Sequence, residues 1–436
     1  MRKTLMMCVL SALCMALVFC NGKMRQAKRD AECREACSAC EEVQKADGYG
    51  KAIACYTEAI RQNPYCTEAY SGRGNAYADA NDYDMAIDDF DEAIRLNPND
   101  AETYNSRASV YLRFGDYGLA IEDYDEAIRL KPDYELAYSN RGVAHSINGY
   151  YGQAIADLNK AIQLDPKLAE AYVNRGVAYY NNGDFDRAIT DYTEAIRLDP
   201  NIAGVYFNRG MTYSSKNDED RAIADYTEEI RRNPNNAGAY YNRGNAYNRK
   251  EESDRAISDY TETIRLDPNN AGAYSNRGYA YDDKREYDKA IEDYTEAIRL
   301  NSEFGHEDED LVFAYAYGNR GNAYAKKGEY DKAIEDHNEV IRLNPDYVVA
   351  YINRGSAYDN KGEYDKAIED YNEAIRLDPD LAAAYNNRGY VYAKKGEYDK
   401  AIEDYNEAIR LDSNCTAAHK NLEEAKKQNK TSGKSQ

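Results

Sequence analysis

The chain of 436 residues repeats itself every 34 residues, and this period restricts its fold more than any other feature. An Arg-Gly pair or a close variant recurs at that spacing. All nine prolines keep it too, from Pro64 to Pro268 and, after a shift of nine residues, at Pro345 and Pro379. A period of this length indicates stacked supersecondary units, each of which packs only on its neighbours. We therefore expect function to lie on an extended surface rather than inside one globular core.

The period divides the chain into eleven repeats, whose positions we number 1 to 34 with Tyr70 at position 4. The predicted repeats are 33–66, 67–100, 101–134, 135–168, 169–202, 203–236, 237–270 and 271–304, then 314–347, 348–381 and 382–415. Between the two groups lies an acidic insertion, 305–313, which we expect to be a loop. An amphipathic helix over 416–429 is predicted to cap the last repeat, and 430–436 are predicted to be a disordered tail.

Each repeat has the pattern of two helices. The first carries Tyr at position 4, a small residue at 8 and Tyr at 11, a spacing that lines one helix face. The second carries an aromatic residue at 17, Ala at 20, Tyr at 24 and Ala at 27. Proline at 32 ends it, because proline lacks an N–H and disfavours helix in the residue before it. The fifth repeat shows the full pattern with Gly176, Tyr179, Ala188, Tyr192, Ala195 and Pro200.

These positions resemble the tetratricopeptide repeat family over residues 33 to 415. Tyrosine stands at position 4, where the family often has Trp, and Ser302 and Ser413 replace the proline. The resemblance implies an all-α fold, a right-handed superhelical α-solenoid of about eleven helix pairs with a C-terminal capping helix. It also implies a concave inner face formed mainly by the first helices.

The N-terminus has the pattern of an export segment. Arg2 and Lys3 precede an uncharged apolar run from Leu5 to Cys20, which predicts a signal peptide or N-terminal anchor over 1–22, followed by a basic linker over 23–32. Cleavage, an uncleaved anchor and a lipoprotein acylated at Cys20 remain open alternatives. We therefore expect an exported protein that is periplasmic, secreted or anchored to a membrane through its N-terminus.

The net charge of −22 limits the classes of partner. An acidic chain repels phosphates, so we expect no nucleic-acid binding. Basic or neutral segments of other proteins or peptides are better matched. The resemblance implies one further restriction, because the family members that clamp a terminal carboxylate use basic residues at positions 2 and 6. No repeat here has a basic residue at position 6, and only the first repeat, with Arg34, has one at position 2, so no repeat carries the pair.

Apolar and aromatic residues outside the packing register are the first candidates for binding. In the family that the chain resembles, positions 2, 5, 9 and 12 of the first helix face the groove. Exposed apolar surface of this kind usually marks a binding site. The alternative is that imperfect repeats use these side chains to pack their neighbours. The candidates are Val143, Val173, Val177, Tyr180, Phe207, Met211, Tyr241, Tyr279, Tyr315 and Tyr390.

Asparagine at position 6 is the second candidate, since it recurs in eight consecutive repeats. A side-chain amide both donates and accepts hydrogen bonds, so one amide per repeat could capture the backbone of an extended peptide. The alternative is a hydrogen bond between neighbouring helices. The eight residues are Asn140, Asn174, Asn208, Asn242, Asn276, Asn319, Asn353 and Asn387.

Arginine at position 7 and aspartate at position 23 have a structural interpretation. Both are present in every repeat from the second to the eleventh and both are missing from the first. This joint presence predicts an ion pair between the two helices of a repeat.

Cysteine is concentrated in the first repeat, where Cys33, Cys37, Cys40, Cys55 and Cys66 lie. In an exported protein we expect disulfides among them, although the sequence leaves their connectivity open. A metal site from Cys33, Cys37, Cys40 and Cys55 is the alternative. Their spacing fits no familiar zinc or iron–sulfur pattern, so we predict no metal and no cofactor.

The four histidines suggest no nucleophile–base pair, because His145 and His337 stand at tyrosine positions. We therefore expect no enzyme. The prediction is a non-catalytic scaffold for protein–protein interaction, binding extended peptide segments or protein partners along the concave groove. The alternative is a structural or surface-exposed envelope repeat protein that acts through its outer face.

Overall fold

The computed structural model describes residues 31–45, 48–304 and 310–432. Twenty-three helices make up all the regular structure of these residues. The predicted signal segment and most of the basic linker lie outside the described residues. No described helix combines the length and the apolar composition needed to cross a membrane.

The helices fall into two compact halves, which divide after Lys216. The N-terminal half contains α1 (31–45), α2 (Tyr49–Gln62), α3 (Thr67–Asp79), α4 (Tyr83–Leu96), α5 (Ala101–Phe114), α6 (Tyr117–Leu130), α7 (Glu135–Ile147), α8 (Tyr151–Leu164), α9 (Ala169–Asn181), α10 (Phe185–Leu198) and α11 (Val205–Ser215). The C-terminal half contains α12 (Glu219–Arg232), α13 (Ala237–Arg249), α14 (Ser253–Leu266), α15 (Ala271–Asp283), α16 (Tyr287–Phe304), α17 (Asp310–Lys326), α18 (Tyr330–Leu343), α19 (Val348–Lys361), α20 (Tyr364–Leu377), α21 (Ala382–Lys394), α22 (Tyr398–Leu411) and α23 (Thr416–Ser432).

The fifth repeat shows why the sequence folds into helix pairs. Gly183 follows α9 with φ of 81°, a left-handed turn that reverses the chain. Asp184 then caps α10, because its side chain accepts a hydrogen bond from the backbone N–H of Arg187 at 3.2 Å. After α10 the backbone of Asp199 is extended, as the following proline requires. Each repeat is therefore a helix hairpin with a defined start and end.

Within a half, each helix packs on the next one along the chain, and the core is a row of small clusters. Gly176 illustrates the close approach inside a repeat. A Cβ atom on Gly176 would lie 2.6 Å from Cε1 of Tyr192, so only glycine leaves room for this ring. Ala188 and Ala195 are fully buried beside Tyr192. The prediction of stacked helix pairs without a single centre is confirmed in both halves.

The described structure differs from the predicted boundaries at two places. Helix α17 begins at Asp310, so the predicted loop over 305–313 is wrong from Asp310 to Phe313. Helix α16 passes through Ser302 to Phe304, because serine, unlike proline, can continue a helix. Helix α23 reaches Ser432 and so enters the predicted disordered tail. The remainder of the insertion and of the tail lies outside the described residues.

Candidate functional site

A cavity of about 820 Å³ lies in the C-terminal half, along the first helices of the eighth, ninth and tenth repeats. Three of the residues predicted from the sequence line it together: Tyr279 on α15, Asn319 on α17 and Asn353 on α19. Asn322 and Ser356 add polar groups from the same helices. Successive first helices thus supply equivalent side chains to one concave surface, which we call the groove cavity.

The charges around the groove cavity are balanced. The Lys326 ammonium donates to the Asp282 carboxylate at 2.5 Å, and the Ser253 hydroxyl donates to the Asp283 carboxylate at 2.8 Å. Arg285 adds a second positive charge to the lining. Tyr279 contributes apolar surface, since it is 52% exposed. The lining therefore offers amides, a hydroxyl and an aromatic ring to an occupant without strong selection for charge.

His337 also belongs to the lining, at the tyrosine position 24 of the ninth repeat. Its side chain is only 1% exposed, and neither ring nitrogen has a hydrogen-bond partner among the described residues. Burial and, as a smaller effect, the nearby Arg354 guanidinium together lower the pKa of His337 to about 4. The imidazole is therefore neutral at pH 7 and is unsuited to act there as an acid.

The position-6 asparagines are all half-buried, but they serve different roles. The Asn140 amide donates to the side-chain oxygen of Asn105 at 3.2 Å. The Asn276 amide donates to the Tyr241 hydroxyl at 3.1 Å and to the Asn245 side-chain oxygen at 2.9 Å. Both residues thus join neighbouring first helices, as the alternative interpretation expected.

The remaining asparagines of this row have other surroundings. The Asn242 amide donates to the backbone carbonyl of Gly238 in its own helix at 2.9 Å. Asn387 accepts a hydrogen bond from Asn386 at 3.3 Å. Asn174 and Asn208 are half-buried in the N-terminal half. Of the eight, only Asn319 and Asn353 line the groove cavity.

Three of the six apolar candidates of the N-terminal half pack against a buried cluster. Val173, Val177 and Tyr180 pack against the buried cluster around Tyr192. The Tyr180 hydroxyl also lies 3.2 Å from the Ser215 hydroxyl. The other apolar candidates of this half are half-buried as well, namely Val143, Phe207 and Met211. Val173, Val177 and Tyr180 therefore contribute to packing between repeats.

The tyrosine candidates of the C-terminal half divide into two groups. Tyr241 is half-buried, and its ring centroid lies 6.0 Å from that of Tyr260. Tyr315 and Tyr390 are 54% and 45% exposed, comparable to Tyr279. The Lys394 ammonium lies 4.6 Å from the Tyr390 ring centroid. Only Tyr279 among these tyrosines combines exposure with a place in the groove cavity.

The predicted pair between positions 7 and 23 is confirmed in nine repeats. The Arg243 guanidinium donates from Nε and Nη2 to the two Asp259 oxygens at 2.8 and 2.7 Å. The other pairs are Arg73–Asp89, Arg107–Asp123, Arg141–Asp157, Arg175–Asp191, Arg277–Asp293, Arg320–Asp336, Arg354–Asp370 and Arg388–Asp404. These ion pairs hold the two helices of a repeat together.

A second partner of these arginines was missed from the sequence. The Arg243 Nη1 donates to the hydroxyl of Thr227, at position 25 of the preceding repeat, at 3.0 Å. Arg175 and Arg354 make the same contact with Asn159 and Asn338. Position 25 is threonine, asparagine or aspartate in every repeat, a signal that could have revealed the contact. The arginine therefore links two repeats as well as two helices.

The cysteines of the first repeat form two disulfides, Cys33–Cys66 and Cys40–Cys55. Cys37 is buried and is not part of a disulfide. The Cys33–Cys66 bond joins α1 to the N-cap residue of α3, whereas Cys40–Cys55 joins α1 to α2. The first repeat is therefore covalently closed in this structure.

Family models match most of the repeat region. Models described as "Tetratricopeptide repeat" match 67–100, 169–202, 237–270, 271–304, 314–347 and 382–415, and also 90–122, 191–224 and 338–369. One described as "TPR repeat" matches 110–149, 147–183 and 360–396. Together they span 67–224, 237–304 and 314–415, well over half of the chain. A comparison with curated proteins found no match.

Several solved structures are similar to this chain. A tetratricopeptide repeat protein from Parabacteroides merdae has 19% identity and a TM-score of 0.46, covering 57% of this chain and 98% of its own. PilF of Pseudomonas aeruginosa has 20% identity and a TM-score of 0.43, and the match covers 46% of this chain and 92% of PilF. YrrB, described as having an unusual peptide-binding site, has 23% identity and a TM-score of 0.36. The match covers 42% of this chain and 95% of YrrB. The repeat period, the helix pairs and the matching family models agree that the chain belongs to the tetratricopeptide repeat family.

Proposed function

We propose that this chain is a non-catalytic scaffold that holds an extended segment of a partner protein in the groove cavity. Tetratricopeptide repeat proteins are generally scaffolds for protein interaction, and the fold is typically non-catalytic. One observation carries the proposal for this site. Three successive first helices present Tyr279, Asn319 and Asn353 to the same cavity.

The chemistry of these side chains suits a polypeptide backbone. The amides of Asn319 and Asn353 each offer a donor and an acceptor, so they can pair with a peptide N–H and C=O whatever the side chains are. The exposed ring of Tyr279 can cover an apolar side chain of the segment. An extended segment binds in this way because its own backbone groups are not already paired. Hydrogen bonds to the peptide backbone would give affinity for many different sequences. The Tyr279 ring would favour those segments that place an apolar side chain against it.

The partner segment that we propose is neutral or basic. The groove cavity itself has balanced charges, but the whole chain carries −22. That charge attracts basic segments over a distance of about 10 Å at 0.1 M salt. We place the interaction outside the cytoplasm, since residues 1–22 have the pattern of a signal peptide or membrane anchor.

The test begins with random linear peptides displayed and selected on the full chain. Dissociation constants of the selected peptides are then measured by fluorescence anisotropy for the wild type and for the double variant Asn319→Ala, Asn353→Ala. Losing two amide pairs should weaken binding roughly tenfold or more. Circular dichroism checks that the variant keeps its helix content.

The matched control is Glu335→Ala with Glu369→Ala. These residues belong to the same two repeats, are exposed and do not line the groove cavity. Peptide affinity should be unchanged in this control. Weaker binding in the control together with normal binding in the asparagine variant would reject the groove cavity and support a binding surface outside it.

A further inference from the structure

Three cysteine sulfurs and one carboxylate meet at the N-terminal end of the described chain. Cys33 and Cys37 lie one turn apart on α1, and Cys66 is the N-cap residue of α3. Their Sγ atoms all lie within 4.8 Å of one another. The side chains are 6%, 6% and 1% exposed, respectively. Glu68, in the first turn of α3, reaches this cluster from the solvent side.

Two separations within the cluster match those between the ligands of a tetrahedral zinc ion. The Cys37 and Cys66 Sγ atoms are 3.7 Å apart, and Glu68 Oε2 lies 3.4 Å from Cys33 Sγ. Zn–S bonds of about 2.3 Å and Zn–O bonds of about 2.0 Å at tetrahedral angles place two sulfurs about 3.8 Å apart and a sulfur and an oxygen about 3.5 Å apart. The Cys33–Cys66 pair, joined as a disulfide, would have to separate. The exposed Glu68 side chain would have to turn closer to the other two sulfurs, because its carboxylate does not lie within 4.8 Å of all three.

We propose that, once the Cys33–Cys66 disulfide is reduced, the thiolates of Cys33, Cys37 and Cys66 and the carboxylate of Glu68 bind one Zn²⁺ ion. A dithiol reductant supplies two electrons and two protons, becomes a disulfide itself and leaves two protein thiols. Zinc then displaces the protons of three thiols, which pass to solvent. Glu68 completes the fourth position as an ionised carboxylate.

Burial and the nearby carboxylates of Glu68 and Glu41 raise the pKa of the Cys37 thiol to about 11, so the charge of the bound ion is what must stabilise its thiolate. The N-terminus of α3 also carries a partial positive charge, and Cys66 and Glu68 belong to it as N-cap residue and first-turn residue. Because Glu68 is exposed, water can solvate the excess negative charge of three thiolates and one carboxylate around a divalent ion. The Cys40–Cys55 disulfide supplies no ligand to this set.

The site differs from the cysteine set considered from the sequence. Cys40 and Cys55 are paired with each other, and the third sulfur comes from Cys66, on the far side of the helix hairpin. Disulfide and zinc would each join α1 to the start of α3. The first repeat would then stay closed under both oxidising and reducing conditions. This role is separate from peptide binding and does not depend on it.

The test uses the full chain reduced with a phosphine and titrated with Co²⁺ in the absence of oxygen. Three thiolate ligands should give near-ultraviolet charge-transfer absorption, and a tetrahedral ion should give intense visible d–d bands. We expect saturation at one equivalent and displacement by one equivalent of Zn²⁺. The oxidised chain, whose Cys33 and Cys66 are joined, should not develop these bands.

Variants separate the proposed ligands from the other cysteines. Cys37→Ser should weaken Co²⁺ binding by more than about a hundredfold, and Glu68→Gln, which leaves every thiol in place, by about tenfold. The double variant Cys40→Ser, Cys55→Ser should bind as the wild type does. Circular dichroism of the full chain confirms folding in each case. No Co²⁺ uptake by the reduced wild type, or unchanged uptake by Cys37→Ser, would overturn the proposal.

Discussion

At the scale of single residues, the arginine at position 7 fixes how helices and repeats align. Its partner aspartate is nearly buried, and burial raises the pKa of Asp336 and of Asp370 although the paired arginines oppose this shift. Removing these charges from water therefore has a cost that the ion pair must offset. We infer that the pairs set the register of the helices more than they add net stability.

Breaking one pair should nevertheless be costly, because the remaining charge is left buried. We expect Arg243→Leu to lower the free energy of unfolding of the C-terminal half by about 3 kcal/mol. Chemical denaturation followed by circular dichroism measures this change. The double variant Arg243→Leu, Asp259→Leu should recover part of the loss. Peptide affinity should stay unchanged, and a loss of affinity without a loss of stability would contradict the structural role.

His337 should make the C-terminal half sensitive to acid. Its folded-state pKa is about 4 against 6.5 for an ordinary histidine, so the unfolded state takes up a proton at higher pH. Stability is then full above about pH 6.5 and falls as the pH drops toward 4, with a loss of about 2 kcal/mol at pH 5.

The measurement compares denaturation at pH 7.5 and pH 5 for the wild type and His337→Leu. Leucine is chosen because Leu158 fills the same position of the fourth repeat and is fully buried there. We expect the variant to lose about 2 kcal/mol less than the wild type between the two pH values. Equal losses in both proteins would show that His337 does not carry the acid sensitivity.

At the scale of elements, the turn at position 15 decides how well each hairpin closes. Glycine takes the left-handed conformation in six repeats, for example Gly328 with φ of 82°. Non-glycine residues take it in four others, including Glu251 with φ of 61°. A side chain in this conformation costs about 1 kcal/mol, so these turns are locally strained.

Relieving one strained turn should stabilise its repeat. We expect Glu251→Gly to raise the free energy of unfolding of the C-terminal half by about 0.5–1 kcal/mol, because glycine adopts this turn without steric cost. The reverse change, Gly328→Glu, should lower it by a similar amount. Denaturant midpoints of both variants provide the measurement. An increase in the free energy of unfolding on Gly328→Glu would show that a side chain does not strain this left-handed turn.

The capping helix α23 protects the last repeat. Leu422 and Ala425 pack with Ala401 and Tyr405 of α22. We expect Leu422→Asp to destabilise the contact with α22 by about 3 kcal/mol, since apolar burial is lost and a charge is buried. Hydrogen exchange of α22 should rise markedly. Lys420→Asp, a change at an exposed position of the same helix, should leave exchange unchanged.

At the scale of the whole molecule, the local pattern predicted the helix pairs because each repeat contacts mainly its neighbours. Proline, glycine and the tyrosine register therefore determine structure within one period. The disulfide pairing was not predictable in this way. Cys33 and Cys37 are one turn apart, and both approach Cys66, so sequence spacing alone cannot choose between them.

The candidate site was predicted only in part, for a similar reason. The exposure of a tyrosine side chain depends on whether the adjacent repeat offers it a hydrogen-bonding partner. The Tyr180 hydroxyl lies within hydrogen-bond distance of the Ser215 hydroxyl, and the Tyr241 hydroxyl accepts a hydrogen bond from Asn276. Tyr279, in contrast, remains exposed and lines the groove cavity together with Asn319 and Asn353. Part of the apolar surface predicted around the fourth to sixth repeats, namely Val173, Val177 and Tyr180, therefore serves packing. The groove cavity of the eighth to tenth repeats is the better candidate for binding.

The central claim is that a polypeptide lies against the groove cavity, and site-specific photocrosslinking tests it most directly. Two full-length proteins are compared, one with p-benzoylphenylalanine in place of Tyr279 and one with it in place of Glu335. A selected peptide should crosslink to the first protein and not to the second, and excess unlabelled peptide should abolish the adduct. Equal crosslinking at both positions, or an adduct only at position 335, would contradict the account.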